Sequence, residues 1–120
     1  MKFAEAEIAS DNYFHTVLEG MKSVTAKIRD LTGICADGSE LIDNTLQGKN
    51  RCLAINPLKT ASEQSEQNGF ANLLKGLYGT FRNPTAHEPK IQWPLSEADA
   101  LDVLSVLSYI HRKLDAAHRI

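Results

Sequence analysis

Cysteine is nearly absent from this chain. Cys35 and Cys52 are the only two among 120 residues; they form no C-x-x-C pair, and no histidine accompanies them at metal-ligand intervals. Neither a disulfide framework nor a zinc site is indicated, no metal or organic cofactor is called for, and the cytoplasm is the expected compartment. No stretch approaches the roughly 20 apolar residues of a membrane-spanning helix, and Met1-Lys2-Phe3-Ala4-Glu5 lacks the apolar core of a signal segment. Low-complexity tracts, internal repeats and long blocks of like charge are missing as well. Thirteen basic residues against 15 acidic ones leave a formal net charge of −2, which excludes a globally basic nucleic-acid binder. A local basic cleft built from Arg29, Arg51, Arg82, Arg112 and Arg119 stays open. A chain of 120 residues suffices for one core but not two, so residues 1–120 are expected to form a single domain.

What is present is helical periodicity. Phe14, Val17, Leu18, Met21, Val24, Ile28 and Leu31 recur at three- and four-residue steps, which predicts a helix over Asn12 to Thr32 with Gly33 as its C-cap. A short helical lead-in from Phe3 to Ala9 precedes it, and a break at Ser10-Asp11-Asn12 is favoured over a continuous helix that these residues merely decorate. Ala36-Asp37-Gly38-Ser39-Glu40 is turn chemistry, with Ser39 capping a short helix through Leu46. Cys52-Leu53-Ala54-Ile55 reads as a short extended or strand-like piece, and the region from Cys35 to Ser62 as an insertion. Phe70, Leu73, Leu74, Leu77, Tyr78 and Phe81 place a helix over Ser62 to Arg82, starting at Ser62 or Ser65. Gly69, Gly76 and Gly79 each cost this helix about 1 kcal/mol against Ala, and tight packing is the expected reason for them. Ser96-Glu97-Ala98-Asp99 reads as a capping box that opens a last helix over Glu97 to Ala117, whose broad apolar face suits both a core and a partner. The fold class is therefore all-α: an antiparallel helical bundle with a short irregular or strand-like insertion in the middle.

The segment from Leu77 to His87 interrupts this pattern. Pro84 lacks an N–H and biases Asn83 out of the helical region, so the helix should end near Arg82. Asn83 then suits the N-cap of a new turn with Pro84 at its first position. A guanidinium from Arg82, an imidazole from His87 and the free N–H groups of a helix N-terminus can converge on an anionic group such as a phosphodiester.

Arg82, a polar Asn83, three further residues and His87 resemble the R-x4-6-H signature of HEPN domains, all-helical modules that include many metal-independent ribonucleases of toxin–antitoxin and phage-defence systems. The stretches Asn12 to Glu19, Ser65 to Phe70 and Phe81 to Glu88 look like the uncharacterised bacterial Ymh-type family within that group, and the likeness runs from about Phe3 to Leu114. The resemblance implies an endoribonuclease that cleaves RNA by attack of the ribose 2′-hydroxyl. In it His87 is general base or acid, Arg82 stabilises transition-state charge, and Asn83 orients or caps. It also implies a homodimer that joins two motifs in one cleft, with an antitoxin or a longer defence protein as a further partner. The alternative is a non-catalytic dimerisation or RNA-binding scaffold built on the same bundle.

Other polar residues carry blander expectations. Glu88 beside His87 reads as solvated, His15 as a boundary residue, and Trp93 as a lid on the core rather than a base-stacking platform. Lys49-Asn50-Arg51 is a solvated turn or a small RNA-backbone contact. His111 and Arg112 are expected on a solvated face, and His118-Arg119 in a frayed end.

Overall fold

The computed structural model describes residues 2–82 and 95–120, with side chains described for 12–81 and 95–120. Its order is α1 (Lys2–Thr32), α2 (Gly38–Thr45), β1 (Leu53–Ala54), α3 (Ala61–Leu77), a π-helical turn (Tyr78–Arg82), α4 (Glu97–Asp115) and β2 (His118–Arg119).

α1 runs without the break expected at Ser10-Asp11-Asn12. Neither Gly nor Pro interrupts that stretch, and three middling helix formers cost less than severing a cooperative helix. The Asn12 carbonyl accepts from Thr16 Oγ1 at 2.9 Å, so the polar residues decorate a continuous helix. Its end is the anticipated one: Gly33, at φ +75°, donates to the Arg29 carbonyl at 2.6 Å, a left-handed conformation that suits glycine.

The caps of the next two helices lie earlier than expected. Asp37, not Ser39, caps α2, accepting from the Gly38 N–H at 2.8 Å. Thr60, rather than Ser62 or Ser65, opens α3: Thr60 Oγ1 accepts from the Glu63 N–H at 3.1 Å while Glu63 Oε1 accepts from the Thr60 N–H at 2.9 Å. Thr60-x-x-Glu63 is a reciprocal capping box, whereas neither serine has a Glu or Gln three residues on. Ser96 and Asp99 form the expected box at the start of α4, with Ser96 Oγ accepting from the Asp99 N–H at 3.0 Å.

Cross-helix pairs fix the topology. Thr25 meets Tyr78 and Val17 shares a cluster with Phe81, so α1 and α3 are antiparallel. Lys113 meets Glu66 at 3.3 Å while Ala100 shares the cluster of Phe81, so α3 and α4 are antiparallel as well. Tyr13–Glu97, Ser23–His111 and Lys27–Asp115 advance together, making α1 and α4, the first and third long helices of an up-and-down bundle, parallel. Among the described residues the only sheet is the ribbon of β1 and β2, antiparallel with Leu53 opposite Arg119 and Ala54 opposite His118. The tail is therefore docked rather than frayed at His118-Arg119, and Ile120 donates to the Cys52 carbonyl at 2.9 Å.

The short insertion expected in the middle of the all-α bundle contributes to its core. Leu41, Ile42, Leu46, Leu53 and Ile55 join Met21, Val24, Ile28, Phe70, Leu74, Tyr78, Ile110 and Leu114 in the main core. Gln67 on α3, fully buried, ties this region in place. Its amide nitrogen donates to the Leu46 and Leu53 carbonyls at 2.9 and 3.0 Å, and its oxygen accepts from the Ile55 N–H at 3.0 Å.

The glycines of α3 do not mark tight packing. A Cβ placed at Gly69 or Gly76 meets nothing within 4 Å, and both face solvent. Close approach occurs instead at Gly20 on α1, where a Cβ lies 2.8 Å from Leu107 Cδ1 of α4. Gly69→Ala and Gly76→Ala are expected to stabilise the fold by about 0.5–1 kcal/mol each, by reducing the freedom of the unfolded chain. Thermal unfolding of the two variants checks this; a fall in midpoint for both is the contrary result.

Candidate functional site

Arg82 is the last residue of the π-helical turn that extends α3. Up to Arg82 the chain stays helical, by a wider i→i+5 turn rather than an α-helical one, and the helix end expected at Asn83-Pro84 falls on residues outside those described. Asn83, Pro84, His87, Glu88 and Trp93 lie outside the described residues. The positions flanking that stretch are anchored together: Phe81 before it and Leu95 after it share a buried cluster with Val17 and Ala100, against which Tyr13, Phe14, Leu77 and Val103 pack. One end of the bundle therefore holds the motif's arginine and both approaches to the segment that carries its histidine.

Within the π-helical turn, Tyr78 is fully buried and Phe81 nearly so, while Gly79 and Thr80 face solvent. The Tyr78 hydroxyl hydrogen-bonds Thr25 Oγ1 of α1. Thr25 Oγ1 in turn donates to the Met21 carbonyl at 3.2 Å, which casts Tyr78 as the donor to Thr25.

His15 belongs to the same end of the bundle, on the α1 segment whose Tyr13, Phe14 and Val17 pack against the Phe81 cluster. It is exposed as a boundary residue, with Nε2 at 3.9 Å from Glu19 Oε1. The remaining arginines do not join Arg82 in a cleft. Arg29 donates to the Ala36 carbonyl at 3.0 Å and pairs with Asp37, Arg51 donates to Gln64 Oε1 at 2.9 Å, and Arg112 donates to Ser108 Oγ at 3.1 Å. These groups and Arg119 lie toward the C-terminal ends of α1 and α4 and the start of α3. At 1.5 Å per helical residue, Gln64 and Arg82 are roughly 25 Å apart along the axis. The idea that one chain gathers all five arginines is thereby corrected.

His111 is likewise not a purely solvated residue. It sits half-buried between α4 and α1, with Nε2 at 2.9 Å from Ser23 Oγ. Burial, and then the Lys27 ammonium, hold its pKa below the ordinary value, against an opposite pull from Asp115. A depressed pKa means that the folded state resists protonation. The associated stability is present above the unfolded value of about 6.5 and is lost as pH falls through the lower folded value. Urea unfolding is expected to show a declining midpoint on acidification below about pH 6.5, with a smaller decline in His111→Gln; equal declines in both proteins are the contrary outcome.

Among the described residues no group of three His, Cys, Asp or Glu side chains could hold a metal ion, and no helix is long and apolar enough to cross a membrane. A family model described as "Protein of unknown function (Hypoth_ymh)" matches residues 1–114. No curated protein and no solved structure matches the chain.

Proposed function

The chain belongs to the Hypoth_ymh family, and on that premise we propose that it is a HEPN-type metal-independent endoribonuclease, a toxin or phage-defence effector acting on RNA in the cytoplasm. The observation that carries this reading is that Arg82, which opens the Arg82-x4-His87 motif, lies in the π-helical turn that extends α3. Turns of this kind often accompany functional sites, because their wider winding re-aims the residues beyond them.

The chemistry comes from the groups of the motif. One His87 takes the proton of a ribose 2′-hydroxyl as that oxygen bonds to phosphorus. The bond from phosphorus to the 5′-oxygen breaks, and the leaving oxygen takes a proton from a general acid. Arg82 stabilises the charge gathered on the phosphorane-like transition state, and Asn83 orients the site or caps the next turn. The products are a 2′,3′-cyclic phosphate and a 5′-hydroxyl, formed without a divalent metal.

Base and acid are both needed, and the motif contains a single histidine. A two-fold dimer supplies the second by placing two copies of Arg82 and His87 in a shared cleft. The separation of Arg29, Arg51, Arg112 and Arg119 from the Arg82 end favours the same arrangement, since further positive charge for RNA then comes from a second chain. Sedimentation is expected to show a dimer at micromolar concentration, and solution scattering to fit one in which the motifs face each other. A monomer, or a dimer with the motifs on outer faces, contradicts shared catalysis. Cleavage of RNA in EDTA by the parent protein, lost in His87→Ala, tests the activity itself.

A further inference from the structure

Among the described residues, the contacts of the π-helical turn at the end of α3 lie on the side facing α1 and α4. Of the described side chains in the π-helical turn, Gly79 and Thr80 are exposed, and a Cβ at Gly79 meets nothing within 4 Å. Nothing among the described residues thus braces the turn at Gly79 from outside. Among the described residues it has two anchors of different character on its inner side. Phe81 packs into the apolar cluster of Val17, Leu95 and Ala100, and Tyr78 bonds through its hydroxyl to Thr25.

These anchors do different things. Apolar packing is non-directional and tolerates rotation of a ring within its pocket. A hydrogen bond between two buried hydroxyls is directional, and in a low-dielectric setting each group is costly to leave without a partner. Thr25 is itself fixed: it is 2% exposed, it stands within α1, and its hydroxyl donates to the Met21 carbonyl at 3.2 Å. The Tyr78 hydroxyl is thereby referenced to the backbone of α1. A π-helical turn that relaxes to α-helix shifts register by one residue, which swings the end of the helix by about 100° around its axis. Arg82 is the residue at the end of that swing.

We infer that the Tyr78–Thr25 pair is a positioning clamp: it holds the π-helical turn in its wide winding and so sets where the backbone of Arg82 stands at the site proposed to act on RNA. The inference rests on the ribonuclease reading for its consequence, but not for its geometry. Tyr78 and Thr25 act through Arg82 and are positioning residues. Their pairing also accounts for a tyrosine, rather than phenylalanine, at a fully buried position of the apolar stripe.

Three variants test it. Tyr78→Phe and Thr25→Val remove one hydroxyl each with little change in volume, and Thr25→Ser keeps the hydroxyl. In the full chain labelled with 15N, the backbone amide and side-chain Nε–H signals of Arg82 are expected to shift in Tyr78→Phe and in Thr25→Val alike. They are expected to return toward parental positions in Thr25→Ser, while signals from β1 and α2 hold still. In RNA cleavage, the first two variants are expected to lower kcat about 10-fold with little change in KM, the pattern of an interaction made in the transition state. Combining them should cost no more than either alone. Unmoved Arg82 signals in Tyr78→Phe overturn the clamp whatever the protein does to RNA. Moved Arg82 signals with undiminished cleavage also overturn it, because the turn then has no bearing on the chemistry. If the parent leaves RNA intact, the ribonuclease reading fails, and with it the clamp's bearing on catalysis; the Arg82 signals then decide the geometry separately.

Discussion

Gln67→Leu is expected to destabilise the fold by about 3–5 kcal/mol, although leucine is more apolar and of similar size. The glutamine is fully buried, and its amide is bonded to the Leu46 and Leu53 carbonyls and the Ile55 N–H. Leucine withdraws the partner from all three. Each buried backbone group deprived of its hydrogen bond costs about 1–3 kcal/mol, partly offset by the easier burial of the new side chain. A domain of this size has about 5–15 kcal/mol of stability in total, so the loss is a large share of it. Gln67→Glu should be destabilising too, since the amide donor is lost and a carboxylate is buried. Urea unfolding followed by circular dichroism measures both. A loss below about 1 kcal/mol in Gln67→Leu indicates that the backbone groups find other partners.

Gln67 also shows which features the sequence leaves hidden. It falls within the reach of α3, flanked by Glu66 and Asn68, and reads there as one more polar surface residue. Only the fold reveals that α2 and β1 pass beside it and need its amide. The long helices were legible because an apolar stripe at three- and four-residue spacing has one structural solution. The ends with strong local chemistry were legible for the same reason: Gly33 in a left-handed C-cap and Ser96-x-x-Asp99 in a box. Thr60-x-x-Glu63 is equally local, but Ser62 and Ser65 close by are N-cap residue types too, so the start of α3 is not unique in the sequence. The docking of His118-Arg119 onto Leu53-Ala54 depends on tertiary contact across most of the chain, which two-residue strands do not announce. The buried Tyr78–Thr25 pair and the half-buried His111 are likewise products of helix juxtaposition. At the candidate site, residue identity and a helix reaching Arg82 could be read directly from the apolar stripe that ends at Phe81. The π winding of that end could not, since periodicity at Tyr78 and Phe81 suits α and π alike over so short a run.

His87→Ala is expected to lower RNA cleavage by roughly 10²-fold or more, and Arg82→Ala by a comparable factor. The two losses arise differently. On the ribonuclease reading the imidazole moves protons at the 2′-oxygen and the leaving oxygen, and imidazole is the side chain in the motif whose ordinary pKa lies near neutrality. On the same reading the guanidinium stabilises charge that exists in full only at the transition state, so its removal should depress kcat more than it raises KM. Arg82→Lys retains charge but not the planar fork, and is expected to recover only part of the loss. Far-ultraviolet circular dichroism should match the parent for each variant, because neither residue belongs to an apolar stripe of the sequence.

The ribonuclease reading stands or falls on incubation of the purified full chain and its His87→Ala form with single-stranded RNA in EDTA, with the product ends analysed. The account predicts that the parent cuts in the presence of chelator, leaves 2′,3′-cyclic phosphate and 5′-hydroxyl ends, and loses this activity in the folded His87→Ala form. A parent that leaves a broad panel of RNAs intact, or a His87→Ala protein that cuts as fast as the parent, contradicts it and leaves the bundle as a binding scaffold.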